Sequence, residues 1–120
     1  MDDLIAFLRA RIAEDTAVAE TAGGSCTYLL DDPSLAGLDT GDRAHVARQS
    51  PFRTLSDAAA IMELLHRYEN PQTNPALPPS VNKFTAQNEQ LMLADVLRVL
   101  AHAHATHPDY RTEWRPEWRR

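Results

Sequence analysis

A chain of 120 residues with 43% hydrophobic content and only 4 glycines has the size and composition of one packed domain. A net charge of −5 disfavours a general electrostatic grip on nucleic acid, and the single cysteine, Cys26, excludes an intramolecular disulfide and an all-cysteine zinc site. Met1-Asp2-Asp3 carries the wrong charge for a signal peptide, and no apolar run approaches the roughly 20 residues of a membrane helix, so a cytoplasmic location without membrane contact is expected.

The first predicted element is an amphipathic helix from Asp2 to about Ala22, with Asp2 or Asp3 at its start to complement the dipole. Leu4, Ile5, Leu8 and Ile12 recur at three- and four-residue spacings and line one face. Gly23-Gly24 is expected to end this helix in left-handed backbone. Ser25 to Leu30 then reads as a short strand, and Asp31 to Thr40 as loop.

A short helix is expected from Asp39 or Thr40 through Arg48. Ser50-Pro51 is a helix start, with serine as cap and proline at the first helical position. The helix it opens continues to about Tyr68, and Leu55, Ala58, Ile61, Met62, Leu64, Leu65 and Tyr68 spread over half its circumference. Residues 70–83 carry Pro71, Pro75, Pro78 and Pro79 and predict an irregular connection, either a mobile linker or a rigid strap. The last long helix is expected from about Thr85 to Thr106. Met92, Leu93, Val96, Leu97, Val99 and Leu100 form its apolar arc, with Asp95, Arg98 and His102 opposite. Pro108 starts a final short helix through Trp114, and Glu117 to Arg120 forms a tail. Together these elements predict one all-α domain over residues 1–120, a small bundle of three to four main helices with at most a minor strand pair.

Two constellations could carry chemistry. Among His102, His104 and His107, the first two point about 200° apart on a helix and cannot share an ion. His104 and His107 could do so if the helix reached Pro108, with a third ligand such as His45 or His66, giving a metal-binding protein or metal-dependent hydrolase. The alternative is a hydrogen-bonded core histidine at position 104, beside Leu97 and Leu100. The second constellation is the C-terminal stretch 108–120. There Arg111, Arg115, Arg119 and Arg120 alternate with Tyr110, Trp114 and Trp118. It could anchor the terminus on the core, present a protein-binding patch, or stack on nucleic-acid bases; Glu113 and Glu117 offset its charge and weigh against the last.

Catalytic sets are not recognisable. Gly23-Gly24 lacks the lysine-serine of a phosphate loop, there is no Gly-x-Ser-x-Gly elbow, and the surroundings of Cys26 match no thiol-enzyme signature. No cofactor is expected, and a non-enzymatic module with a protein partner is the leading expectation.

Three stretches nevertheless form a familiar set: Met1-Asp2-Asp3-Leu4 with Phe7-Leu8-Arg9-Ala10; Ala44-His45-Val46-Ala47-Arg48 leading to Pro51, Arg53 and Leu55; and Leu97-Arg98-Val99-Leu100-Ala101 before His107-Pro108-Asp109-Tyr110-Arg111 and Glu113-Trp114-Arg115-Pro116. With these the chain resembles an uncharacterised family of small actinobacterial and phage proteins, domain of unknown function 6221. The resemblance implies no activity. Relatives often carry cysteines just before the last long helix, where this chain has Ala86 to Gln90 and Ala94, and a Leu-Pro-Tyr-like break where it has His102-Ala103-His104. The departure implies that any family metal site is missing and the last helix is longer. The segment Ser25 to Asp39 is also shorter than in relatives.

Overall fold

The computed structural model describes residues 1–31, 41, 45 and 49–119, with side chains placed for all of these but 23–31 and 119. Among them the fold is all-α: α1 spans Asp2–Asp31, α2 spans Pro51–Glu69 and α3 spans Pro79–His102. Two short 3-10 turns, Thr112–Trp114 and Glu117–Arg119, follow. The short helix expected before Arg48 lies outside the described residues apart from Gly41 and His45.

The chain divides into two compact units, one made of Met1–Ala10 with Met62–Arg120, the other of Arg11–Ile61. The first holds most of the core. Leu4, Ile5, Phe7 and Leu8 of α1 are buried there, with Leu65 of α2, Ala94, Leu97 and Ala101 of α3, and Trp114. Gln90 donates to the Tyr68 carbonyl at 3.0 Å, a part-buried bond that joins α3 to the end of α2. An Arg9–Glu69 ion pair joins the first turns of α1 to the same place. In the second unit Ile12, Ala19 and Ala58 are buried.

The burial of Leu4, Ile5, Leu8 and Ile12 follows the spacing of the first helix. Its end does not follow the sequence signal. The backbone stays helical through Gly23-Gly24 and over Ser25 to Leu30, so no strand forms there. Neither glycine adopts positive φ. Glycine permits the left-handed state without compelling it, at a cost in helix of about 1 kcal/mol relative to alanine. A lone strand would leave its backbone groups without a ladder, whereas a helix satisfies them within the segment.

α2 begins at Pro51, as the Ser50-Pro51 pair predicts. α3 begins at Pro79, earlier than Thr85, so part of the expected proline-rich connection is helical. Pro79 occupies the first turn, where its missing N–H costs nothing, and Pro78 before it holds the extended φ of −56° and ψ of 148°. The connection is tied to this turn by the Asn82 side chain, which also donates to the Leu77 carbonyl at 3.4 Å. Asn82 Oδ1 accepts from the Asn74 amide at 2.9 Å, and Asn82 Nδ2 donates to the Asn74 carbonyl at 2.9 Å.

α3 also departs from expectation in the direction it faces. Its buried stripe is Ala94, Leu97 and Ala101, flanked by half-buried Leu93 and Leu100. Met92, Val96 and Val99, expected in the core, lie on the outside. Small alanines let a neighbouring element approach closely, so the narrower stripe buries the helix more tightly than the larger side chains would.

Two measurements check this fold. Gly23→Ala and Gly24→Ala should each raise stability by about 0.5–1 kcal/mol in urea denaturation, because both positions are helical; left-handed glycines would give a loss instead. In dilute solution Leu97→Ala should cost about 2–5 kcal/mol, whereas Leu91→Ala should stay within about 0.5 kcal/mol.

Candidate interaction surface and the aromatic C-terminus

α3 ends at His102, and the chain after it continues in three-residue turns. The amide of Ala103 donates to Leu100, His104 to Ala101, Ala105 to His102, His107 to His104 and Tyr110 to His107. This tighter winding, with Pro108 beyond it, directs residues 104–114 back toward α1. His104 therefore does not belong to α3, though it is half-buried.

The rings converge on Phe7 of α1. His104 lies 6.2 Å from it, His107 5.7 Å, Tyr110 6.0 Å and Trp114 5.1 Å between ring centroids. Tyr110 and Trp114 also meet edge to face at 5.7 Å. Such pairs add about 0.5–1.5 kcal/mol beyond the area they bury. Arg111 closes the cluster from outside. Its guanidinium sits 5.6 Å over the Trp114 ring and pairs with Asp3 at 2.6 Å and Glu113 at 3.7 Å. Trp114 is only 8% exposed, so this part of the C-terminal stretch is an anchor for the start of α1.

Trp118 differs. It is 62% exposed, with its ring edge-on to His102 at 6.2 Å. It lines a cleft of about 530 Å³ with Pro116, Glu117 and the α3 residues Asp95, Arg98 and Val99. Arg98 donates to Asp95 at 3.0 Å, which leaves Glu117 as the third charged residue of the cleft. Arg115 is exposed, and the Arg119 side chain is not among the described ones. Beyond the cleft, the outer face of α3 carries exposed apolar side chains among the polar Thr85, Asn88 and Asp95. Phe84, Leu91 and Met92 are 66%, 69% and 71% exposed, and Val81, Val96 and Val99 at least 40%. Side chains of this exposure present on the order of 500 Å² of apolar surface, a size at which a patch on a monomer usually has a function.

Most of the histidines expected as metal ligands make local contacts. His107 Nδ1 accepts the Asp109 amide at 3.1 Å, and His102 Nδ1 lies 3.5 Å from the Tyr110 hydroxyl. His45 is exposed, and the His66 ring faces the Asn70 amide at 3.3 Å. Among the described residues no three histidine, cysteine, aspartate or glutamate side chains come together to hold an ion. No helix among them is long and apolar enough to cross a membrane. The α3 face was missed in the sequence because its residues were assigned to the core. The signal that separates the two is the alanine spacing at 94 and 101, on the side that is buried.

The two tryptophans should separate sharply in thermal or urea unfolding. Trp114→Ala should cost about 3–5 kcal/mol, the range for a buried large aromatic. Trp118→Ala should cost less than about 1 kcal/mol, as expected for an exposed side chain.

Neither a curated protein nor a solved structure matches the chain. A family model described as a family of unknown function, DUF6221, matches residues 1–116. The chain belongs to that family.

Proposed function

We propose that this protein is a non-enzymatic interaction module that docks a protein partner on the outer face of α3. The observation that carries this reading is the row Val81, Phe84, Leu91, Met92, Val96 and Val99, which faces away from the helix's own buried stripe. Water-exposed apolar side chains gathered on one side of a helix cost solubility and are retained chiefly where another surface covers them. Trp118 extends the row beside Val99, through the cleft the two share. A half-exposed indole next to aliphatic side chains is the composition typical of the centre of a protein interface.

Charge points the same way. The face carries Asp95, already paired with Arg98, and the whole chain has a net charge of −5, so the surface suits an apolar protein partner better than a phosphate backbone. Of the tail, Trp118 belongs to this surface, while Arg111 and Trp114 serve the anchor. Arginine in place of lysine everywhere but Lys83, together with abundant alanine, suits an actinobacterial or phage origin in a G- and C-rich genome. An accessory role in the cytoplasm for a phage or other mobile element fits that composition.

A photoreactive amino acid at Leu91, introduced in the native host, tests the reading. Illumination should give discrete protein adducts that are absent when the same group sits at Gln72 in the exposed connection before α3. Equal labelling at the two positions would refute it.

A further inference from the structure

Resting on the reading of α3 as a protein-contacting helix, we infer that its partner presents an extended peptide segment, laid along one flank of α3 with two bulky apolar side chains four residues apart. The basis is a pair of clefts with a common border. One is the cleft of Val99, Pro116 and Trp118. The other, of about 550 Å³, is lined by Tyr68, Gln87, Gln90 and Leu91. Asp95 and Arg98 line both. At 100° per residue Gln87, Leu91, Asp95 and Arg98 fall within an arc of about 80°, beside the buried Ala94.

The dimensions suit an extended chain. Leu91 and Val99 are the exposed apolar α3 residues that each cleft has to itself, and they stand about 12 Å apart along the axis. An extended chain advances about 3.3 Å per residue and alternates its side chains, so positions four apart point the same way and span about 13 Å. One side chain then enters beside Leu91 and Tyr68, the other beside Val99 and Trp118.

The polar groups of the flank choose between an extended and a helical occupant. A helix satisfies its own backbone, whereas an extended peptide brings N–H and C=O groups that need partners. Gln90 spends one N–H on the Tyr68 carbonyl and has its side-chain oxygen to accept with. Gln87 is exposed and carries an amide donor and acceptor, and Arg98 and Asp95 set a donor and an acceptor side by side at 3.0 Å. Charge specifies one further residue. Asp95 is answered by Arg98, while Glu117 at the Trp118 end is exposed and outside the ion pairs among the described side chains. The occupant therefore carries a basic residue beyond its anchor in that cleft.

Selection of a phage-displayed library of random dodecamers on the full chain tests this occupant. Enriched peptides should share two bulky apolar residues four positions apart, with lysine or arginine beyond one of them. A synthetic peptide of that consensus should bind with roughly micromolar affinity in isothermal titration. N-methylation of the three intervening residues removes their N–H donors and keeps both anchors, and should weaken binding at least about tenfold. Leu91→Glu should weaken it at least about tenfold and Gln87→Ala about fivefold, the latter carrying the test if the former loses its helical circular dichroism. Gln72→Lys, in the exposed connection, should leave it unchanged. Absence of enrichment, a consensus with apolar residues seven or eight apart, or binding indifferent to N-methylation or to both α3 variants would overturn the inference. Photo-adducts at Leu91 in the native host alongside any of these would leave the interaction reading intact and remove only this occupant; absence of both adducts and enrichment removes the two together.

Discussion

A helix can hide only one side of itself against a small core, and α3 has apolar residues on more sides than one. Ala94, Leu97 and Ala101 take the inner side. The choice follows from packing: two alanines flanking a leucine make a flat stripe against which a neighbouring element can press, while Phe84, Leu91 and Met92 would hold it away. Once the small stripe is buried, the large side chains have nowhere to go but outward. The exposure of these side chains is thus a consequence of which side of α3 is buried.

The C-terminus holds this arrangement in place. Tight three-residue turns after His102 return the chain to α1, where Phe7 receives His104, His107, Tyr110 and Trp114. The Arg111–Asp3 pair at 2.6 Å adds little by itself, since both side chains are exposed to water, but its position over Trp114 covers the cluster. His102, His104 and His107 make ring contacts within this cluster and its rim, while Trp118 and the outer side of α3 stay exposed. Both lie on or beside α3, so its buried stripe and its exposed apolar residues occupy opposite sides of the same helix.

Much of the fold could be read in the sequence where the signal had a single physical meaning. Leu4, Ile5, Leu8 and Ile12 repeat at helical spacing with polar residues between them, and Ser50-Pro51 starts a helix because proline fits only its first turn. Signals with two meanings were misread. Gly23-Gly24 could end a helix or lie within one, and helical continuation satisfied the backbone of Ser25 to Leu30 without a partner strand. Pro79 could extend an irregular strap or open a helix, and it opens α3. The segment 86–90, compared above with a stretch preceding the last helix of relatives, lies inside that helix here. For α3 itself, periodicity gave the apolar arc but not the edge of it that faces inward, because apolar residues surround most of the helix. The exposed site was hidden by the same ambiguity.

The central claim is the orientation of α3, and hydroxyl-radical footprinting in dilute solution, read residue by residue by mass spectrometry, tests it most directly. Phe84, Leu91 and Met92 should be modified readily, while Leu97 and Leu65 stay protected. Protection of the first three in the monomer, with modification of Leu97, would mean that the helix faces the other way and that the apolar surface does not exist.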